Sequence, residues 1–330
     1  VPVHEDIKKH QGNYLKYIGN YKQTIKNLGT CGIDIICYNF MPVLDWLRTD
    51  LKVIFNDGAI TTKFETDVLA AFDLFMLKRK DAINDYSHEQ IINAKDLFEK
   101  MNNGQKEKLL RTILYGLPGS LEAYTLEEFR TALNEYNEIG EKELRENLNY
   151  FIKEIIPVAE QVGVAMGIHP DDPPWSLLGL PRVVGNKHDI RKILDVIDSP
   201  SNGITFCTGS FGAGYKNDIV DMAKTFAHRI NFVHLRNLTR DSEGNFMEAY
   251  HLDGDIDLYG VMKELLLEQQ RRIHAGRKDT RLPMRPDHGH LMISEQNKSD
   301  IYPGYSLIGR MRGLAELRGM ELGIRHSLGI

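Results

Sequence analysis

The sequence is short of the features that mark several large protein classes. It has three cysteines, Cys31, Cys37 and Cys207, an odd count with no Cys-x-x-Cys pair. That excludes a disulfide framework and fits a reducing, cytoplasmic setting. No apolar run reaches the roughly 18 residues a membrane span needs, and no secretory leader is visible. No long basic stretch occurs, and the net charge is −5. Both weigh against a nucleic-acid partner, which needs a concentrated basic face. Gly209, Gly212 and Gly214 are spaced too irregularly for a dinucleotide fingerprint, so they read as loop glycines where backbones approach closely. There is no internal repeat and no low-complexity tract.

What is present points to an α/β fold. With 330 residues and 42% hydrophobic composition, the chain can bury one sizeable core, and α/β barrels of this length are single domains. Residues 1–330 are therefore expected to form one domain. Five segments share a plan of a short apolar run followed by an abrupt polar cluster. They are Gly32–Pro42, Val162–Pro174, Gly203–Gly214, Ile230–Asn237 and Leu282–His290. Such runs read as buried parallel strands. Helical patterns follow three of them, over Lys187–Ile197, Asn217–His228 and Leu258–Gln270, and this alternation predicts parallel α/β architecture. The stretch from about 61 to 159 shows helical periodicity throughout and reads as a helical insertion. Ser87 with Gln90 and Thr125 with Glu128 have the spacing of capping boxes, and Gly116–Ser120 reads as a turn.

The polar clusters carry the functional signal. In a (β/α)8 barrel the chemistry lies at the C-terminal ends of the strands. Four such ends offer metal ligands, His169, Cys207, His234 and Asp287, separated by 38, 27 and 53 residues. That is one strand-helix unit or somewhat more, so four successive strands would bring two imidazoles, a thiolate and a carboxylate to one barrel mouth. Such a set can hold a divalent cation. Each residue alone has a plainer reading: a hydrogen-bonded histidine, a small buried cysteine, a helix-capping aspartate. Their matching positions favour the metal. Asn39, Arg236, Arg285 and His288 sit at the same ends, and an arginine fork suits a substrate carboxylate. His251 lies in a turn-rich loop, facing the site or solvent. Asp171–Trp175 is a proline-stiffened loop, either a wall of the site or a connector.

At this point the strings CYNFMPVLDW, MGIHPDDPPWSLLGLPR, TFCTGS, FVHLRN, HLDGD and MRPDHGH, in this order, resemble those of the mannonate dehydratase family. The resemblance runs from the first residues to about Leu328. It implies a xylose-isomerase-like TIM barrel and a hydro-lyase that converts D-mannonate to 2-dehydro-3-deoxy-D-gluconate in hexuronate breakdown. It also implies a homodimer and Mn2+, with Fe2+ as the alternative. It places the four metal ligands on His169, Cys207, His234 and Asp287, and a catalytic tyrosine on Tyr302, which the residues alone do not single out. It further implies that the barrel's first strands precede Val1, with Val1–Glu5 as the tail of a strand and roughly 70 residues, about two βα units, before it.

Dehydration of a sugar acid needs a base for the weakly acidic proton beside the carboxylate and an acid for the departing hydroxyl. A cation stabilises the negative charge that develops. Tyr302 and His288 are the expected proton carriers, with Asp287 as ligand and relay, and which group is acid and which base stays open. Asn39, Arg236, Arg285 and His251 are the expected substrate contacts. Three rivals rank lower: a metal-dependent sugar isomerase or epimerase on the same barrel, a metal-dependent nuclease, and a non-catalytic sugar-acid binder.

Overall fold

The structure is a computed structural model and describes residues 1–114, 124–298 and 300–330. The turn expected at Gly116–Ser120 lies outside the described residues. Two short stretches open the chain, helices α1 (Glu5–Lys9) and α2 (Tyr14–Thr30), before strand β1 (Ile35–Tyr38). A hairpin of β2 (Asp50–Ile54) and β3 (Ile60–Phe64) follows. Then come helices α3 (Thr66–Ala71), α4 (His88–Lys100), α5 (Asn103–Leu114), α6 (Leu126–Asn134) and α7 (Glu141–Gln161). The second half alternates: β4 (Ala165–Ile168), α8 (Lys187–Leu194), β5 (Asn202–Cys207), α9 (Thr208–Ala213), α10 (Ile219–Phe226), β6 (Ile230–Leu235), β7 (Leu238–Arg240), β8 (Phe246–Glu248), α11 (Leu258–His274), β9 (Met284–Pro286) and α12 (Leu307–Leu328).

Five strands form one parallel sheet in the order β1-β4-β5-β6-β9. These are the five segments singled out by their apolar runs. Every residue of β5 is buried, as expected of a central parallel strand covered on both faces. Its Gly203 is required by close approach: a Cβ there would lie 2.3 Å from Asn231 Nδ2 and 2.4 Å from the Arg229 carbonyl. Helix α7 buries Leu144, Leu148, Phe151, Ile152, Ile155, Ile156 and Ala159, a stripe at helical spacing that packs on α2 and β4. Both expected capping boxes are formed, with Ser87 Oγ accepting from the Gln90 amide and Thr125 Oγ1 from the Glu128 amide.

The parallel sheet has five strands among the described residues, with β1 and β9 as its edges. Two expectations are corrected. The helical stretch begins at Thr66 instead of about 61, because Ile60–Phe64 is β3. Its β-branched Ile60, Thr61 and Thr62 suit a strand, and it joins a second, antiparallel sheet of order β2-β3-β8-β7. The Gly209–Gly214 stretch is the short helix α9 instead of a loop, yet its glycines do mark close approach. A Cβ on Gly209 would lie 2.5 Å from the Arg236 side chain, and one on Gly212 would lie 2.6 Å from Ile256.

Candidate active site

Strand register assembles the site. Cys207 pairs with His234 across β5 and β6, and His234 with Arg285 across β6 and β9. His169 follows β4, its amide donating to the Tyr38 carbonyl, and the Asp287 amide donates to the Leu235 carbonyl at 2.9 Å. Parallel strands in register bring their C-terminal ends to one place. The ligand atoms of His169, Cys207 and His234 accordingly lie within 4.8 Å of one another. Asp287 Oδ2 joins them, 3.8 Å from Cys207 Sγ and 3.7 Å from His234 Nδ1.

The donors suit a cation. His169 Nδ1 lies 2.7 Å from the Pro170 carbonyl, which can only accept, so that nitrogen carries the proton and Nε2 presents a lone pair. Nε2 faces His234 Nδ1 at 3.1 Å. Two ring nitrogens this close need a shared proton or a shared cation. Burial lowers the proton affinity of both imidazoles, and the nearby Asp287 only partly offsets this, so both are held towards the neutral, ligating form. Burial alone would raise Asp287. His234, His288, Arg285 and Arg236 outweigh it and hold that carboxyl well below the usual carboxylate range.

A cavity of about 460 Å³ opens onto this cluster, and Asn39, Asp45, Trp46, Asp172, Arg285, His288 and Tyr305 complete its wall. A cavity of about 500 Å³ beside Phe64 and Trp175 carries none of the four donors. Arg285 lines the cavity and donates from Nη2 to Asp287 Oδ1 at 2.6 Å; its side chain is 42% exposed, while Nε is buried. The loop 171–175 divides its work. Asp171 accepts from the Val183 and Val184 amides, fixing the backbone, and Asp172 reaches the cavity wall.

Four expected site residues do not line this cavity: Cys207, which is fully buried within the donor cluster, and Arg236, His251 and Tyr302. The guanidinium of Arg236 is consumed inside the protein: Nε and Nη2 donate to Glu248 and Nη1 to Asp172, each at 2.7 Å. His251 is buried under α12, where a Cβ on Gly313 would touch its ring. Tyr302 packs on Tyr305, their ring centroids 6.0 Å apart, and it is Tyr305 that lines the cavity, its ring 5.1 Å from that of His288.

Sequence reasoning passed over a buried network below the cavity. Arg48 and Arg236, with Asp172 and Glu248, form two positive and two negative charges, all four at most 4% exposed at the side chain. Burial would raise Glu248, but Arg236, His288 and Arg48 bring it well below the usual range. Glu248 Oε1 also lies 3.2 Å from His288 Nδ1. The available signal was weak: in Phe246-Met247-Glu248 the carboxylate shares a strand face with a buried phenylalanine, an unusual place for an unpaired charge.

Parallel α/β units, a four-donor cluster at the strand ends and an arginine beside it define the class of α/β proteins that carry a candidate metal centre at the C-terminal edge of a parallel sheet. The comparisons narrow this. Residues 1–328 match the family of D-mannonate dehydratase (UxuA). A mannonate dehydratase of Marinomonas sp. (strain MWYL1) is 51% identical over 329 residues, covering 99% of this chain and 84% of the relative. That of Saccharophagus degradans is 50% identical over 320 residues, covering 97% and 81%. The crystal structure of mannonate dehydratase from Streptococcus suis serotype 2 superposes with a TM-score of 0.74 at 33% identity, over all of this chain and 76% of that one. The chain belongs to the D-mannonate dehydratase family, and its activity is that of a hydro-lyase.

Proposed function

We propose that this chain removes water from D-mannonate to give 2-dehydro-3-deoxy-D-gluconate, with a divalent cation held by His169, Cys207, His234 and Asp287. The observation that carries the reading is the convergence of these four donors, three of which (His169, His234 and Asp287) line one cavity. The cation is Mn2+, with Fe2+ as the alternative. The thiolate of Cys207 is the softest donor and favours iron over manganese, whereas Asp287 suits either. When bound, the cation stabilises negative charge developing on the substrate.

The chain's own residues supply the rest. Arg285 receives the substrate carboxylate, because its fork is the guanidinium that reaches the cavity. Asn39 offers an amide to the sugar hydroxyls. His288 and Tyr302 carry protons, and Tyr305, in contact with both rings, lines the cavity. Trp46 packs edge-on to His288 at 6.1 Å and keeps water from that side of the ring. The five parallel strands are read as part of a (β/α)8, xylose-isomerase-like barrel that forms one domain over 1–330. The barrel reading is supported by the strand order and by the superposition on the Streptococcus suis enzyme. A cytoplasmic homodimer completes the proposal. Among the described residues no helix is long and apolar enough to cross a membrane.

The test strips the protein with chelator, restores Mn2+, Fe2+, Zn2+ or nothing, and assays D-mannonate for the 2-keto-3-deoxy product. Product with Mn2+ or Fe2+ alone is expected. Metal uptake without product under any condition would overturn the dehydratase reading and favour the isomerase or the binding protein.

A further inference from the structure

We infer that Glu248 is a positioning residue for His288, holding its imidazole so that only Nε2 can exchange a proton with the substrate. The inference rests on the reading of His288 as a proton carrier. Three observations support it. First, Glu248 Oε1 lies 3.2 Å from His288 Nδ1, and both side chains are at most 5% exposed. Among the described residues no hydrogen bond reaches that buried nitrogen, and the Glu248 carboxylate is the charge set against it. A carboxylate cannot share its lone pairs with another lone pair, so Nδ1 must carry a proton. Second, the carboxylate cannot turn away. Oε1 accepts from Arg48 Nη2 at 2.8 Å and Arg236 Nη2 at 2.7 Å, and Oε2 from Arg236 Nε at 2.7 Å. Third, His288 has φ +61°. A non-glycine residue persists in that region only where its surroundings over-determine it.

The consequences follow from the tautomer. With Nδ1 protonated, neutral His288 has its lone pair on Nε2. That atom lies 3.9 Å from Asp287 Oδ2, on the side of the donor cluster and cavity. His288 therefore exchanges a proton with the substrate through Nε2 alone, and positive charge on the ring faces Glu248. Glu248 touches no substrate, so it acts through the ring alone. The small antiparallel sheet thus has a part in the site, since its strand β8 carries Glu248.

The test combines spectroscopy with kinetics. Selective 15N-histidine spectra of the Zn2+-loaded protein, at mildly basic pH, report the tautomer, with His288 assigned by its loss in His288→Gln. The expected result is Nδ1–H in the wild type. In Glu248→Gln, a shift toward Nε2–H is expected, with kcat lowered on the order of a hundredfold or more and KM little changed. The same carboxylate-to-amide change costs a Ser-His-Asp triad roughly 10⁴-fold. An Nε2–H wild type overturns the inference, even where Glu248→Gln does not fold. A fully active Glu248→Gln beside an inactive His288→Gln overturns it while leaving the role of His288 intact. Full activity in both would instead remove the proton-carrier reading on which it rests.

Discussion

Arg236→Met tests the buried charge network most directly. The substitution keeps much of the side-chain length and removes four donated hydrogen bonds, two to Glu248, one to Asp172 and one to Ser210. Arg48 remains against both carboxylates, at 2.8 Å from Glu248 and 3.0 Å from Asp172. Two buried negative charges then share one positive charge. Removing one partner of a buried ion pair costs about 3–5 kcal/mol, because the desolvated charge left behind has lost its compensation. Against a total stability of about 5–15 kcal/mol this is a large fraction. At about 2–4 °C per kcal/mol, the melting temperature should fall by roughly 10 °C. The loss should also depend on pH. In the variant, burial and mutual repulsion raise the pair's folded-state proton affinity above its unfolded value. Folding then takes up a proton, so the deficit is smaller at about pH 5 than at about pH 8. Urea and thermal denaturation of the wild type, Arg236→Met and Arg236→Lys at both pH values measure this. A deficit below about 1 kcal/mol, or one independent of pH, would refute the charge-balance argument.

Other outcomes follow from the same structure. Cys207→Ser should lower metal content after dialysis and activity together, and a variant that keeps both would remove Cys207 from the ligand set. Arg285→Met should raise KM for D-mannonate by roughly tenfold to a hundredfold, the loss of a charge-assisted fork being worth about 1.5–3 kcal/mol; an unchanged KM with a collapsed kcat would assign Arg285 to the chemical step. Gly209→Ala should destabilise by about 1–3 kcal/mol, since its Cβ would strike the pinned Arg236 side chain, and equal melting temperatures would show that Arg236 can yield. For the metal-free protein, His169 and His234 are held below their ordinary value, so the unfolded chain binds the extra protons. Stability should fall as pH drops below about 6.5, and fall further below about 4.5 as Glu248, Asp172 and Asp287 are forced to protonate. Stability that rises from pH 7 to 5 would reverse the assigned shifts.

The parallel sheet and the four donors were legible because both are local signals repeated at a fixed rhythm. Each strand is a short apolar run, and each donor ends one or directly follows it. Nothing local marks the second sheet. Strands β7 and β8 have three residues each, and β8 pairs with β3, more than 180 positions earlier, as Lys63 with Met247. Arg48 stands in Leu47-Arg48-Thr49 with no pattern to distinguish it from a surface arginine. Arg236 was visible but misplaced for a physical reason. A guanidinium beside a ligand strand serves substrate or scaffold equally well in sequence, and only the positions of Glu248 and Asp172 decide. Tyr302 and Tyr305 differ by one turn of backbone, a distinction that loop conformation makes and residue type does not.

The small antiparallel sheet is fastened to the parallel strands by the Arg48–Asp172–Arg236–Glu248 charges, so swinging it away would break the Arg48–Asp172 and Arg236–Glu248 pairs. Its amides should therefore exchange with solvent in the same slow class as those of β5 and β6, and not with the fast class of surface loops. The sheet then holds still the arginines that anchor Asp172 on the cavity wall.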